Sequence, residues 1–465
     1  MEKRPNVVFI LPDQQRWDTL GCYGQKLNVT PNLDRMAKEG VLFENAFTCQ
    51  PVCGPARACL QTGKYATELG CYRNGIGLPK DTKTIAHWFG EAGYQLGYVG
   101  KWHLASTNGE SKDVKLGRRI DYHTSPIPME YRGGWKDFWI ASDVLEFTSH
   151  GYNGHLFDGD MNRVEFTGYR VDAITNFALD FLQKQNGKKP FFLFISYVEP
   201  HQQNDHNRYE GPDGSKERFK NYEIPGDLID TDGDWRENFP DYLGSCNSID
   251  YNVGRVRDEL KKLGLSNNTY IIYTSDHGCH FRTRNQNLSK YGTKTGFDDY
   301  KRSCHESAIH IPMIIYGQGL KGGKKINNLV SLIDLPPTLL DIAGIEIPEY
   351  MQGNSLKVLF DGDVEDWRKE IFLQISESQV GRVIRTKRYK YSVRSPEKNG
   401  MLYASSDLYI EDFLYDLEND PHERNNLVNN PEYRNVRDDL RGRLIKQMVK
   451  ANEKEVKIET ASYFV

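Results

Sequence analysis

The chain has 465 residues, and its 60 lysines and arginines nearly balance its 64 aspartates and glutamates. This length predicts two or three structural units, or one large α/β body with a sizeable core. The balanced charge gives no sign of a nucleic-acid-binding surface, and no stretch approaches the roughly 18 apolar residues of a membrane helix. We therefore expect neither nucleic-acid nor membrane partners.

The first residues, MEKRPNVVFILPDQQ, are not expected to act as a signal peptide, because the apolar run is short and no small-residue cleavage site follows it. If Met1 is the natural start, we expect a cytoplasmic protein. If an export signal was removed before it, we expect a periplasmic or secreted one. The eight cysteines show neither CxxC pairs nor zinc-type spacing, so most are expected to be reduced, half-buried thiols.

Four short runs rich in β-branched and aromatic residues predict strands. They cover residues 6–11, 94–100, 191–198 and 269–275. Helical patterns occur between them at 30–40, which has a Thr-Pro start and a closing glycine, and at 250–264. Strands that alternate with helices predict an α/β fold with a large, mainly parallel sheet sandwiched by helices.

Polar residues follow each of these strands. They are Asp13-Gln14, Lys101-Trp102-His103, Glu199-Pro200-His201 and Asp276-His277-Gly278. One aspartate after a strand is most often a turn or a helix cap, but ligands in open α/β sheets bind beyond the carboxyl ends of strands, and four such segments favour a shared site. Carboxylate and amide oxygens suit Ca²⁺ or Mg²⁺, and the imidazole also admits a transition metal such as Mn²⁺.

A different pattern begins near residue 365. The segment 370–393 alternates apolar and polar residues and predicts antiparallel strands, and the charged segment 431–455 predicts a helix. We therefore expect a catalytic α/β domain over 1–365 and a smaller α+β domain over 366–465. The segments 105–165 and 202–245 have weak periodicity and are expected to be binding loops.

The stretch Cys53-Gly54-Pro55-Ala56-Arg57 has the form C-x-P-x-R and is followed by Leu60 and TGK. Other segments accompany it in a fixed order: LPDQQRWDTLGCYG, TPNLDRMAKEGVLFENAF, GYVGKWHL, TSDHG, KRSCHESAIHIPMIIYG and LYDLENDPHERNNL. Together they span nearly the whole chain, which resembles the type I, formylglycine-dependent sulfatases. The resemblance implies an alkaline-phosphatase-like fold. It also implies that Cys53 is oxidised to formylglycine by a formylglycine-generating or anaerobic sulfatase-maturating enzyme.

The resemblance further implies a role for each matching residue. A calcium-type metal would be bound by Asp13, Gln14, Asp276, His277 and the modified Cys53. Arg57 would stabilise the formylglycine, and Lys101 would contact both it and the sulfate. His103 would act as a base, while His201 and Lys301 would hold the sulfate and protonate the leaving oxygen. The hydrated aldehyde would attack sulfur with one oxygen and expel sulfate through the other.

Two positions depart from the commonest family pattern. Many relatives have Asp in place of Gln14 and Asn in place of His277, and this pair also resembles the phosphonate monoester and phosphodiester hydrolases of the same superfamily. Those hydrolases lack the lysine-histidine pair, so Lys101 and His103 favour a sulfatase. A non-catalytic sulfoglycan-binding protein is the third alternative, and the complete set of catalytic residue types argues against it.

The long loops are rich in Tyr, Trp, Arg, His and Asn, which suit sugar rings and hydroxyls. We expect a sulfated saccharide, first a glycosaminoglycan-derived uronate 2-sulfate and second a hexosamine 6-sulfate, with a small aryl or alkyl sulfate as the other alternative. Asn74 could face the leaving group or make a turn, and His305 could touch substrate or serve packing. His310 is expected to be structural, and Cys59 and Cys71 to be small buried thiols.

Overall fold

The computed structural model of the chain describes residues 4–105, 112–113, 118–284 and 300–460, with the backbone alone at 112–113 and 118–119. Its strands are β1 (Asn6–Asp13), β2 (Val41–Phe43), β3 (Ala46–Phe47), β4 (Gln95–Lys101), β5 (Lys112–Asp113), β6 (Arg118–Arg119), β7 (Phe138–Ser142), β8 (Asn153–Asp158), β9 (Arg163–Thr167), β10 (Phe191–Pro200), β11 (Thr269–Thr274), β12 (Met313–Tyr316), β13 (Lys324–Ile326), β14 (Val330–Ser331), β15 (Glu370–Ile375), β16 (Gly381–Thr386), β17 (Tyr389–Arg394), β18 (Leu408–Asp416) and β19 (Lys457–Glu459). Its α-helices are α1 (Pro31–Glu39), α2 (Cys53–Thr62), α3 (Ala66–Leu69), α4 (Ile85–Glu91), α5 (Arg170–Gln183), α6 (Ser215–Phe219), α7 (Trp235–Lys262), α8 (Glu306–Ile309), α9 (Leu335–Ile342) and α10 (Arg434–Lys450).

Ten strands form one sheet, in the order β13-β2-β12-β11-β1-β10-β4-β7-β8-β9. The central strands β11, β1, β10, β4 and β7 run parallel, and antiparallel pairings occur toward both edges. Every residue of β1 and β10 is buried, as expected for a parallel sheet covered on both faces. The predicted large sheet sandwiched by helices is confirmed, with these antiparallel edges added to it.

The alternation of side chains along β1 separates two cores. Val8 and Ile10 belong to the core shared with α1, α5 and α7. Val7, Phe9 and Leu11 belong to the core shared with α2, α4 and α9. Successive side chains of a strand point to opposite faces, so one apolar run serves both layers.

Helix α7 is longer than the sequence predicted, because it begins at Trp235 rather than at residue 250. Pro240 and Gly244 lie inside it and interrupt the helical pattern. Packing explains why residue 244 is a glycine, because a Cβ at this position would lie 2.1 Å from Oγ of Ser215 in α6. The segment 202–245 is therefore partly helical, and the described part of 105–165 carries β5, β6, β7, β8 and most of β9. Within the described ranges, neither α7 nor any other helix is long and apolar enough to cross a membrane.

The second sheet has the order β15-β16-β17-β18-β19, antiparallel except for β19, which pairs parallel with β18. Helix α10 packs on β15, β16 and β17. The smaller antiparallel sheet is thus confirmed, while the boundary between residues 365 and 366 stays a prediction. Buried ion pairs join this sheet to α8: Glu306 lies 3.1 Å from Arg385 Nη2 and 3.0 Å from Lys390 Nζ.

Candidate active site

Four adjacent parallel strands end at the same edge of the large sheet and present polar side chains there. β1 ends at Asp13 and β4 at Lys101, while β10 and β11 are followed within two residues by His201 and Asp276. The register pairs Asp13 with Pro200, the residue directly before His201. The structure therefore brings the polar segments that follow the four predicted strands to one rim.

Helix α2 brings a further segment to this rim. It begins at Cys53, which is 1% exposed, and Arg57 follows one turn later on the same face. The backbone N of Gly54 donates to Oδ1 of Asn74 at 2.9 Å. A Cβ on Gly54 would also lie 2.9 Å from that oxygen, so a larger residue would crowd the contact that holds the start of the helix.

Two groups that can stabilise negative charge lie against the sulfur of Cys53, which is also 3.4 Å from Oδ1 of Asp13. Lys301 Nζ lies 2.8 Å from the sulfur and His277 Nε2 lies 3.2 Å from it. Burial raises the pKa of Cys53, but the positive charges of Lys301, Lys101 and His277 outweigh burial and bring this pKa well below its usual value. The surroundings of residue 53 therefore suit a negatively charged side chain.

Arg57 is buried and orients the two carboxylates of the rim. Its Nη2 donates to Asp13 Oδ2 and its Nε donates to Asp276 Oδ2, both at 3.2 Å. Its Nη1 donates to Ser196 Oγ at 2.6 Å and to the carbonyl oxygen of Lys101 at 3.1 Å. The planar fork of the guanidinium therefore fixes the relative positions of Asp13 and Asp276.

Four buried side chains form a candidate metal centre, with ligand atoms that all lie within 4.8 Å of one another: Asp13, Cys53, Asp276 and His277. Burial, and then the charge of Asp13, raise the pKa of Asp276, so Asp13 destabilises the ionised form of Asp276. A divalent cation between them would remove that cost. Two carboxylates, an imidazole and a neighbouring amide oxygen fit a hard divalent ion.

Gln14 lies beside this cluster in the left-handed region, with a φ of 68°. Its backbone N donates to Asp276 Oδ1 at 3.0 Å, and its side-chain Nε2 donates to the hydroxyl of Tyr209 at 2.7 Å. The amide oxygen therefore faces the site, 3.3 Å from Lys301 Nζ. This is the orientation that an amide oxygen ligand needs, and the sequence offered no signal for Tyr209.

Lys101 is fully buried between two carboxylates, 2.9 Å from Asp13 Oδ2 and 2.7 Å from Glu146 Oε1. Burial lowers the pKa of Lys101, but these carboxylates raise it by more, so the ammonium stays charged. Burial raises the pKa of Glu146, but Lys101 and then His201 lower it to about 2. Sequence reasoning missed Glu146, because one acid in an irregular loop carries no pattern.

His103 also has a positive φ, 59°, and its backbone N donates to the carbonyl oxygen of Asp143 at 2.8 Å. Burial lowers the pKa of His103, against the raising effect of its hydrogen bond with Cys53. A neutral imidazole beside position 53 can accept a proton, as a general base must.

His201 and Lys301 form a hydrogen-bonded pair. Nδ1 of His201 lies 2.7 Å from the carbonyl oxygen of Gln202, which can only accept, so Nδ1 carries the proton. Nε2 is then the acceptor for Lys301 Nζ at 3.0 Å. The ammonium of Lys301, which can donate a proton, therefore lies between Nε2 of His201 and the sulfur of Cys53.

A cavity of about 280 Å³ opens from these residues. Its lining includes Cys53, Asn74, His103, His123, Glu146, Phe147, His201, Gln202, Asn204, Lys301, Arg302 and Glu377. Asn74 therefore faces the cavity, and Glu377 accepts a hydrogen bond from its backbone N at 2.7 Å and pairs with Arg302. Glu377 lies between β15 and β16, so the second sheet helps to build the cavity, which the sequence did not indicate.

His305 is not part of that lining. It is 2% exposed, its Nε2 lies 3.2 Å from the hydroxyl of Tyr415, and its ring packs on Phe413. These contacts favour packing over substrate contact for this residue. His310 stacks on Trp17, with ring centres 4.2 Å apart, in a structural role.

All eight cysteines are free, and every one except Cys22 is fully buried, Cys59 and Cys71 included. They lie deeper than the half-buried positions predicted for most of them, because the two large cores extend through much of the chain.

Comparison with known proteins identifies related chains. A family model described as Sulfatase matches residues 5–345, and one described as N-sulphoglucosamine sulphohydrolase, C-terminal, matches residues 292–450. An ulvan-active sulfatase of Formosa agariphila is 30% identical, over 97% of this chain and 82% of the relative. An N-acetylglucosamine-6-O-sulfatase of Bacteroides thetaiotaomicron is 27% identical, over 93% of this chain and 84% of the relative. A solved structure in complex with its substrate, D-glucosamine-2-N,6-O-disulfate, shares the fold with a TM-score of 0.74 at 24% identity, covering 97% of this chain and 98% of the other.

Proposed function

The chain belongs to the sulfatase family and is a sulfuric ester hydrolase, and from this premise we propose that it removes sulfate from a sulfated saccharide with a formylglycine made from Cys53. The observation that carries the proposal is the environment of position 53. It is buried at the start of α2, lies against Lys301 and His277, and lines a polar cavity. A maturating enzyme is the partner that this proposal requires.

The metal site supports the same proposal. Ca²⁺, with Mg²⁺ or Mn²⁺ as alternatives, would be held by Asp13, Gln14, Asp276, His277 and the side chain at position 53. Metal and aldehyde together supply an oxygen nucleophile for sulfur and a route for releasing sulfate by re-forming the C=O bond.

The chain's own residues would bind the sulfate and move the protons. Lys101 and Lys301 supply two fixed positive charges for the sulfate oxygens as charge develops on them. We assign protonation of the leaving sugar oxygen to the pair of His201 and Lys301, which line the cavity: the proton comes from the Lys301 ammonium, directly or through Nε2 of His201, 3.0 Å away. His103, kept neutral by burial, accepts the proton released at position 53.

The cavity favours a hexosamine 6-sulfate over a uronate 2-sulfate. Glu146 and Glu377 line it, each paired with a cation, so this part of the lining offers no net positive charge for the carboxylate of a uronate. Arg302, a cation that could have supplied such a charge, is engaged with Glu377. Asn74 and Phe147 offer an amide and an aromatic face, which suit hydroxyls and a sugar ring. The N-acetylglucosamine-6-O-sulfatase of Bacteroides thetaiotaomicron, a relative of this chain, supports placing the hexosamine 6-sulfate before the uronate 2-sulfate.

The proposal is tested with protein co-expressed with a formylglycine-generating enzyme. Mass spectrometry of the peptide that contains residue 53 reports whether CH₂SH has become CHO. Ion chromatography then measures sulfate released from 6-O-sulfated N-acetylglucosamine, a 2-O-sulfated unsaturated uronate disaccharide and an aryl sulfate, beside turnover of a phosphonate monoester. We expect release from the hexosamine, its loss in Cys53→Ala, and its retention in Cys59→Ala, a matched change on the same helix.

Two results would replace the proposal. Turnover of the phosphonate alone would mean that Gln14 and His277 mark a phosphonate hydrolase. An unmodified Cys53 in protein from its own host, together with binding but no hydrolysis of the sugar, would leave sulfoglycan binding as the function.

A further inference from the structure

The loop between β7 and β8 and the loop that follows β10 together carry a second group of metal-ligating side chains, outside the site described above. His150, Asp205 and His206 each offer one ligand atom, and the three atoms lie within 4.8 Å of one another. Between 40% and 53% of each side chain is exposed. The two imidazoles stack, with ring centres 4.7 Å apart. Both Nε2 atoms converge on one oxygen, Asp205 Oδ2, at 2.7 Å from His150 and 4.0 Å from His206.

His206 is oriented as a metal-bound histidine is. Its Nδ1 lies 2.6 Å from Oε1 of Glu210, and an ionised carboxylate only accepts, so Nδ1 carries the proton. Nε2 of the neutral ring is then a lone pair that faces the carboxylate of Asp205. A metal ion between Nε2 and the carboxylate would take both as ligands, in the place of a proton on Nε2 or a bridging water. In metal sites the ring nitrogen that does not bind the metal commonly donates to a carboxylate, as Nδ1 of His206 donates to Glu210, and this fixes the ring and makes the other nitrogen a stronger ligand.

We propose that His150, Asp205 and His206 form a second metal site, which takes Zn²⁺ or a similar transition-metal ion and is completed by water. Tetrahedral zinc with bonds of about 2.0–2.2 Å holds its ligand atoms roughly 3.4 Å apart. The separations of 2.7 and 4.0 Å lie on either side of that value, and half-exposed side chains can rotate to reach it.

Binding at this site involves a proton. His150 Nε2 shares its hydrogen with Asp205 in the structure, so metal binding at this nitrogen requires that hydrogen to move to Nδ1 if the ring is neutral, or to leave to solvent if both nitrogens carry one. The site therefore binds metal more weakly as pH falls and protons compete for the imidazoles.

The site joins two loops that wall the cavity. His150 follows Phe147, and Asp205 follows residues of the other loop that also line the cavity. Gln203 already links them, since its Nε2 donates to the carbonyl of Glu146 at 2.9 Å and to Asp205 Oδ1 at 2.8 Å. A metal here would stiffen the rim of the cavity without touching position 53.

The test uses full-length protein stripped of transition metals and kept saturated with Ca²⁺, so that the first site is filled. Titration calorimetry with ZnCl₂ gives stoichiometry and proton release, and visible absorption with CoCl₂ reports the ligand geometry. We expect wild type to bind one more Zn²⁺ than His206→Gln or Asp205→Asn. His155→Gln, a partly exposed histidine of β8 outside the cluster, should bind as wild type does.

Equal zinc stoichiometry in wild type and His206→Gln overturns the proposal, as does loss of the cobalt spectrum in His155→Gln. Hydrogen exchange supplies an independent readout. Zn²⁺ should slow exchange at the backbone amides of 202–210 in wild type and leave it unchanged in His206→Gln. Protection that is the same in both proteins overturns the coupling of the two loops. Each variant changes an exposed or partly exposed side chain. The Tm of each variant, measured in EDTA, shows whether the variant is folded.

Discussion

Lys301 Nζ lies 2.8 Å from the sulfur of Cys53 and 3.0 Å from Nε2 of His201. One buried ammonium thus bridges the residue that we assign as nucleophile and the histidine that we assign to the leaving oxygen. Lys301 is 4% exposed, so its charge is little screened by water.

Replacement of Lys301 by Met keeps the length of the side chain and removes its charge. We expect kcat for sulfate release to fall by about 10²–10³, the usual effect of losing one preorganised donor to a developing negative charge. Steady-state kinetics on the best sulfated sugar measures this. Lys321→Met, a change at an exposed lysine, should leave kcat as in wild type. An unchanged kcat in Lys301→Met would remove Lys301 from the mechanism.

Glu146 acts through Lys101, and we expect Glu146→Gln to behave as a positioning variant. Burial lowers the pKa of Lys101, and Asp13 and Glu146 raise it. Loss of the Glu146 carboxylate therefore lowers the pKa of Lys101. We expect the alkaline limb of the kcat/KM profile to move to lower pH and the activity to fall by about 10–100-fold. A full pH profile checks both effects, with Glu165→Gln, at an exposed residue of β9, as control. A fall in activity with no shift of the alkaline limb would indicate a purely structural role.

The acid limb of activity should report His103. Burial brings the pKa of His103 below its ordinary value of 6.5, so the ring is neutral and able to accept a proton at and above that pH. We expect kcat/KM to fall only as pH drops below 6.5, when the base becomes protonated. His103→Gln should lose about 10²–10⁴ in kcat together with this limb. An acid limb that persists in the variant would assign it to another group.

Metal binding should stabilise the fold through the two carboxylates. Ligand at a hundred times its Kd stabilises the native state by about 2.7 kcal/mol, so Ca²⁺ should raise the Tm of metal-stripped protein by several degrees. Asp276→Asn removes one anionic ligand and should abolish most of this rise as well as activity. Differential scanning fluorimetry with and without Ca²⁺ measures it. Asp361→Asn, at an exposed acid outside the cluster, should respond as wild type, and an equal response in Asp276→Asn would place the ion elsewhere.

Much of the fold could be predicted because its signals are local. The apolar runs at 6–11 and 191–198 became β1 and β10 with two further residues each at their ends. Helix α7 was predicted only in its second half, because Pro240 and Gly244 break the local pattern, and the close approach of Gly244 to Ser215 in α6 exists only in the tertiary structure. The parallel strand β19 has three residues, too few for a periodicity.

The sequence by itself determined which residue types reach the rim, since Asp13, Lys101, His201 and Asp276 follow strands whose apolar character is visible in the chain. Tertiary structure decided what those residues meet. Loops and the second sheet supply Glu146, Glu377 and Tyr209, and packing turned Asn74 toward the cavity and His305 into the core. The contact of Lys301 with Cys53 joins residues 248 positions apart. No local pattern encodes such a distance, because it depends on how two cores pack around one sheet.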